Sequence, residues 1–318
     1  MTRNFAILGV GGFVAPRHLE AIASTGHRLL AACDPRDSVG VLDRAFPEAA
    51  FFTETERFDR YLEKQRRLGD DERVHYVSIC SPNYLHDAHV RLAMRTQATA
   101  ICEKPLVISP WNLDQLARLE EETGSRVYTV LQLRQLPALV DLRARLRGSS
   151  RTRADVVLTY VTRRGPWYQV SWKGVPEKSG GLITNIGAHL LDLMLWLFGP
   201  VQEAEVHVSD RERMAGALEL ERARVRWFLS VSASDLPEPV RASGRTAFRA
   251  LQLSGETLEF TEGFTELHTR VYEEILQGRG LGIEDARPSI ELAHRLRGAE
   301  VRLRPGAHPW VGRPTVSS

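Results

Sequence analysis

The sequence predicts an α/β chain of two domains: a doubly wound parallel sheet in residues 1–134, then an α+β domain with an open, mainly antiparallel sheet in residues 135–318. Three observations predict it. Short apolar runs alternate with amphipathic stretches through the first part, the pattern of repeated βαβ units. Past residue 200, strand-like runs follow one another with few helical stretches between them. A chain of 318 residues is also long enough to fill two cores.

In the first domain the expected strands are residues 5–8, 28–33, 50–52, 74–80, 98–102 and 127–131. Runs such as Val77-Ser78-Ile79-Cys80 lack clean alternation, which suits strands covered on both faces. Residues 16–24 and 111–122 read as helices between strands. After Arg134 the character changes. Residues 136–147 read as a helix and 154–161 as a strand rich in β-branched residues, followed by a polar loop up to Gly181. A helix is expected over 187–198, strands over 204–209, 217–220, 225–232, 248–253 and 257–260, and closing helices over 264–276 and 284–297. The tail from Pro305 is expected to be loose.

Lysines and arginines number 42 against 40 acids, a net charge of +2 with both signs spread along the chain. That balance gives no reason to expect nucleic acid or an anionic membrane as a partner. No apolar run approaches the ~18 residues of a membrane-spanning helix. Met1-Thr2-Arg3-Asn4 leads straight into the first strand without the apolar core of a signal peptide, so a cytoplasmic location is expected. Cys33, Cys80 and Cys102 lack CxxC spacing and stand near the ends of apolar runs, where they read as small buried structural thiols. His86 and His89 are three apart but have no third ligand nearby in sequence, and no metal site is expected.

The stretch from Phe5 to Pro16 runs from a strand through a glycine turn into a helix. Gly9 permits the tight turn, Gly11 and Gly12 let the backbone approach a diphosphate, and Ala15 allows close helix–strand packing. Phe13 and Val14 complete the turn, and Pro16 suits the first helical position. The helix N-terminus then offers free N–H groups to an anion. Asp34, at the end of the next strand, is placed to accept hydrogen bonds from ribose hydroxyls and to repel a 2′-phosphate. These features point to a Rossmann-type dinucleotide site that prefers NAD, with Arg36 the one feature favouring NADP. Two further turns follow strands: Ser81-Pro82-Asn83-Tyr84-Leu85-His86 and Glu103-Lys104-Pro105. Ser81, Asn83, His86, Glu103, Lys104 and Gln132 are therefore expected at the carboxyl edge of the sheet, beside the cofactor.

Glu103-Lys104-Pro105, joined to the glycine turn, resembles the glucose–fructose oxidoreductase/inositol dehydrogenase/MocA family. The resemblance implies an NAD(P) domain followed by an open-faced β-sheet domain, with Lys104 beside the nicotinamide and substrate. A second signature of that family is similar to Gly180-Gly181-Leu182-Ile183-Thr184-Asn185-Ile186-Gly187-Ala188-His189-Leu190-Leu191-Asp192. One departure matters: the aspartate often found four residues before the histidine is Asn185. With Thr184 before it, that substitution resembles one subgroup, the UDP-N-acetylglucosaminuronic acid 3-dehydrogenases of surface-polysaccharide (lipopolysaccharide O-antigen) synthesis. The stretches Ala15-Pro16-Arg17-His18, Val130-Leu131-Gln132-Leu133-Arg134 and Ser171-Trp172-Lys173 point the same way.

The resemblance implies NAD-dependent oxidation of a secondary alcohol. Such a reaction needs a base for the hydroxyl proton, and an imidazole titrating near neutrality suits that task at His189. Lys104 would hold the hydroxyl and stabilise alkoxide charge, although the two roles are exchangeable. Thr184 and Asn185 would orient the sugar. Arg163 and Lys173 would meet diphosphate or carboxylate charge, with Trp167, Tyr168 and Trp172 available to stack on rings. Two other readings remain at this stage: oxidation of another cyclic polyol or sugar, and a non-catalytic NAD-binding regulator. Subgroup likeness further implies a homotetramer and 2-oxoglutarate as a hydride acceptor in some members.

Overall fold

Every residue of the first strand, β1 (Asn4–Leu8), is buried in the computed structural model, as a strand covered on both faces must be. Residues 2–148, 153–253, 255–263, 266–302 and 305–312 are described. The chain divides into two units, one made of Met1–Gln135 and Thr265–Arg287, the other of Leu136–Phe264 and Pro288–Ser318.

In the first unit β2 (Arg28–Cys33), β3 (Ala50–Phe52), β4 (Tyr76–Ile79), β5 (Thr99–Cys102) and β6 (Val127–Thr129) join β1 in a parallel sheet of order β3-β2-β1-β4-β5-β6. This is the dinucleotide-binding order, reversing direction between β1 and β4. The connecting helices are α1 (Ala15–Ser24), α2 (Thr55–Leu68), α3 (His86–Arg95) and α4 (Pro110–Thr123). Helix α1 carries Pro16 in its first turn and buries Ala15, His18, Leu19 and Ile22, one helical face. The strands end in register: Leu8 pairs with Cys33 and Ile79, Ile79 with Cys102, Cys102 with Thr129, and Cys33 with Phe52. The segments that follow them therefore leave side by side from one edge.

One segment departs from the expected order. The helix Leu267–Leu276 was expected in the second domain but belongs to the first unit. Its Val271, Tyr272 and Ile275 share a core with Phe5, Ile7 and Ile22, so burial of that apolar face decides its place. The expected start of this helix at 264 lies outside the described residues.

The second unit contains α5 (Pro137–Arg147), β7 (Ala154–Thr162), α6 (Trp167–Val170), α7 (Pro176–Ser179), α8 (Gly181–Asn185) and α9 (Ala188–Phe198). There follow β8 (Val201–Ser209), β9 (Arg213–Leu220), β10 (Ala223–Ser230), α10 (Glu238–Ala242), β11 (Ala247–Leu253) and β12 (Glu256–Glu259). The helix Leu267–Leu276 is α11, and α12 is Ile283–Arg297. The six strands form one sheet, β12-β11-β7-β10-β9-β8, antiparallel except where β10 runs parallel to β7. Gly216 on β9 faces Trp227, which is fully buried; a Cβ there would stand 2.8 Å from the indole ring. Only glycine lets the strand pass beneath that ring.

Two expectations are corrected in this unit. The stretch expected as a polar loop up to Gly181 winds into α6, a 3₁₀ turn at Trp172–Gly174, and α7. The tail expected to be loose is anchored over its described part. His308 is buried and hydrogen-bonds Thr159 at 3.1 Å, while Trp310 stacks on Phe248 with ring centres 5.9 Å apart. Burying that indole on the sheet offsets the entropy of ordering the segment. Residues 313–318 lie outside the described residues.

Among the described residues no single helix is long and apolar enough to cross a membrane. The pair Pro176–Asn185 and Ala188–Phe198 passes by length and composition, but it is bent by 43°. Leu190, Leu191, Leu193, Met194, Leu197 and Phe198 of its second helix are core residues.

Candidate active site

The glycine turn after β1 is shaped by contacts that leave no room for side chains. Gly9 has φ +82°, and a Cβ would lie 2.7 Å from the backbone of Cys80 and Ser81. Its N–H donates to Cys33 O at 2.8 Å, which pins the turn to the end of β2. Gly12 N–H donates to Gly9 O at 3.0 Å. Phe13 is 84% exposed, and Val14 stands as the N-cap of α1 without a side-chain cap. Ala15 N–H donates to Gly12 O at 3.2 Å and Arg17 N–H to Val14 O at 3.0 Å, so α1 turns toward an anion the positive end of its dipole rather than bare amides. Asp34 is buried and accepts from Gly11 N at 2.9 Å and from Arg36 N at 3.0 Å. The acid therefore stands against the turn itself. Arg36 meets it through its backbone amide.

The turns after β4 and β5 are tied together by His86. Its ring nitrogens lie 2.8 Å from Ser81 O and 2.7 Å from Pro105 O. Burial pushes the His86 pKa down, against the two carbonyls, which raise it. His89 Nδ1 meets Ser81 Oγ at 2.8 Å, and burial takes its pKa down to about 4. Both histidines thus hold loops in place. Asn83 is buried beside them. The Gln132 side chain is buried, and its carbonyl oxygen has no partner among the described residues, an acceptor left for a donor such as a carboxamide. Arg134 is committed to Asp285 through contacts at 3.3 and 3.1 Å.

Glu103 is buried while Lys104 beside it is half-buried. Glu103 Oε1 lies 3.0 Å from His18 Nε2 and 2.9 Å from His268 Nε2. Burial alone would push this carboxyl up, but the two histidines outweigh it and hold it well below the usual carboxylate range. His18 and His268 were not among the expected site residues. His18 had a signal, a polar ring on the buried face of α1. His268 had none, since the pairing spans 165 residues. Cys33, Cys80 and Cys102 are buried and unpaired, and burial raises all three pKa values, that of Cys33 to about 11. They are poor nucleophiles, in keeping with structural thiols.

In the second unit Asn185 is buried and its Nδ2 donates to Tyr168 Oη at 2.8 Å. Tyr168 is itself buried, and burial raises its pKa. Tyr168 was expected to present a ring for stacking, but it serves as the support of Asn185. Trp167 is the exposed ring. Lys173 Nζ lies 4.7 Å from the Trp167 ring centre and 5.7 Å from that of Trp172. Burial, then the charge of Arg164, lowers the Lys173 pKa. Arg163 and Arg164 are both exposed, and the charge of Arg164 is felt at Lys173. Thr184 is buried against Gly180, and its hydroxyl has no partner among the described residues. His189, half-buried, and Asp192, buried, lie on α9.

The strand order, glycine turn, buried acid and adjoining helix N-terminus fit NAD, and together they define an NAD-binding oxidoreductase. Residues 3–131 match the oxidoreductase family model with an NAD-binding Rossmann fold, and residues 154–236 match that family's C-terminal α/β domain. The chain belongs to this family, the GFO/IDH/MocA oxidoreductases. It is similar to the WlbA (WbpB) dehydrogenase of Thermus thermophilus, solved with NAD and alpha-ketoglutarate: 50% identity over 97% of this chain and 99% of that one, TM-score 0.93. A structure of the same dehydrogenase with NAD and UDP-GlcNAcA matches at 49% identity, 97% and 99% coverage and TM-score 0.93. Among curated proteins, the 2,7-anhydro-N-acetylneuraminate hydratase of Mediterraneibacter gnavus is 26% identical over 210 residues, 64% of this chain and 51% of that protein. The chain thus spans about half that relative's length.

Proposed function

We propose that this protein oxidises the C3 hydroxyl of UDP-N-acetylglucosaminuronic acid to the 3-keto sugar, a step in making surface-polysaccharide sugars. The observation that carries the proposal is the near-full-length 50% identity to a dehydrogenase whose structures hold NAD and UDP-GlcNAcA. Bound NAD supplies the hydride acceptor. His189 takes the hydroxyl proton, and Lys104 holds the oxygen and stabilises the charge it develops; the reverse division is the competing form. Asn185 has no proton to give at neutral pH, so it orients the sugar, with Thr184 as a second polar contact. Lys173 and Arg163 meet the anionic groups of the substrate, and Arg164, whose charge is felt at Lys173, joins that set. Gly9, Gly11, Gly12, Phe13, Val14, Asp34, Ser81, Asn83, Lys104 and Gln132 are assigned to the cofactor, with His86 and Glu103 holding the turns around it rather than touching it.

The alpha-ketoglutarate in the Thermus thermophilus structure supports 2-oxoglutarate as the group that takes the hydride back. We assign a cytoplasmic location and a homotetramer joined partly through the sheet β7–β12. Light scattering that gave the mass of one 35.8 kDa chain would overturn the tetramer. A sugar panel tests the substrate. Reduction of bound NAD is expected with the nucleotide-sugar uronate, and reduction by inositol alone would move the protein to the polyol dehydrogenases.

A further inference from the structure

We infer that Glu103 is the hub of a buried hydrogen-bond clamp that sets the position of Lys104, with His18 and His268 as positioning residues. The inference rests on Lys104 acting in the oxidation proposed above. Every member of the clamp lies in the first unit. An ionised carboxylate only accepts hydrogen bonds, so both Nε2 atoms facing Glu103 Oε1, at 3.0 and 2.9 Å, carry protons. His18 Nδ1 is then a lone pair and accepts from the Tyr272 hydroxyl at 2.7 Å. The Tyr272 oxygen accepts in turn from Ser78 Oγ at 2.5 Å. Each proton along Ser78, Tyr272, His18 and Glu103 has one place to be.

Two imidazoles and a carboxylate are also a set that a divalent cation would take. The far side of His268 decides between these readings. Its Nδ1 is buried and has no partner among the described residues. In the clamp that atom is a bare lone pair. Around a metal, Nε2 would give up its proton and Nδ1 would become a buried N–H with no acceptor, whereas metal-ligating histidines have that second N–H satisfied. The geometry favours the clamp.

Its consequence lies at the other carboxylate oxygen. Glu103 Oε2 faces the backbone N–H of Lys104 at 3.3 Å. One side chain therefore joins the amide of Lys104 to α1 through His18, to α11 through His268 and, by way of Tyr272, to Ser78 on β4. Helix α1 is also the helix that follows the glycine turn. The clamp thus fixes Lys104 against the element that offers its N-terminus to the cofactor diphosphate. Misplacing a reacting group by ~1 Å costs roughly a hundredfold in rate, so a residue that touches neither cofactor nor substrate has leverage here.

The test uses the full chain loaded with NAD and mixed with UDP-GlcNAcA in single turnovers, comparing wild type, Lys104→Ala, His268→Leu and His268→Gln. Leucine fills the space without a donor, while glutamine restores an N–H. His268→Leu is expected to slow hydride transfer about tenfold to a hundredfold with NAD affinity within about threefold of wild type. His268→Gln is expected to recover most of the rate. A folded His268→Leu protein as fast as wild type, alongside a slow Lys104→Ala, would overturn the clamp alone. A fast Lys104→Ala would overturn the role of Lys104 and the clamp with it. A second measurement is independent of turnover: long-range proton–nitrogen spectra of the ¹⁵N-histidine-labelled protein are expected to show Nε2–H on both His18 and His268. An unprotonated Nε2 on either ring would overturn the inference.

Discussion

The first unit and the second hold the side chains assigned above to the site by different means. In the first, Gly9, Asp34 and Glu103 each follow directly on a strand whose last residue is paired with its neighbour's. A backbone ladder puts them in a row. In the second, Lys173, Thr184, Asn185 and His189 lie on or between short helices, and side-chain contacts hold the first three: Lys173 over Trp167, Thr184 against Gly180, Asn185 on Tyr168. The difference teaches where substitutions act. A change at the strand ends disturbs geometry that the whole sheet enforces. A change in 163–189 removes one local contact.

The largest effect is expected at the proposed base. His189→Asn should keep nucleotide-sugar affinity while slowing reduction of bound NAD by ~10²–10⁴-fold, read in single turnovers. A variant as fast as wild type would pass the base role to Lys104. Next comes Asp34→Ala, which removes a charged acceptor worth ~1.5–3 kcal/mol. It should weaken NAD binding roughly tenfold or more and narrow the gap to NADP, measured by titration with each cofactor. It also frees the Gly11 amide that Asp34 now holds, so a variant with unchanged NAD affinity would show that the acid serves only the turn.

Smaller losses are expected in the second unit. Asn185→Ala strips a buried amide and leaves the Tyr168 hydroxyl short of a donor, costing ~1–3 kcal/mol. It should chiefly raise KM; a fall in kcat alone would place Asn185 in the proton chemistry. The smallest effect concerns Lys173, whose pKa burial and Arg164 lower. Its charge is lost as pH rises through that lowered value, below the range of an ordinary lysine. Affinity for an anionic sugar should therefore fall over that interval, and Lys173→Arg should flatten the dependence. Folding stability runs the other way: the cation is disfavoured in the fold, so its destabilising effect fades as pH rises from the lowered value toward the ordinary one.

The same contrast governs what was legible in the sequence. The strands and the glycine turn could be read because continuous apolar runs and glycine spacing are local signals, and a parallel sheet of known order then aligns the turns. The pairing of His268 with Glu103 could not. Neither could the return of α11 to the first unit, because an amphipathic helix shows that it buries a face but not against which core. The helices α6 and α7 were hidden in a polar stretch four residues per helix long, too short for periodicity to register. Trp310 looked like a loose aromatic in a tail because its partner Phe248 stands far from it in sequence.

One measurement bears most directly on the central claim. NAD-loaded protein is mixed with UDP-N-acetylglucosaminuronic acid, and in parallel with UDP-N-acetylglucosamine and myo-inositol, while the absorbance of reduced nicotinamide is followed. The expected result is rapid reduction with the uronate and little with the other two. Reduction by myo-inositol with none from the uronate would contradict the proposal.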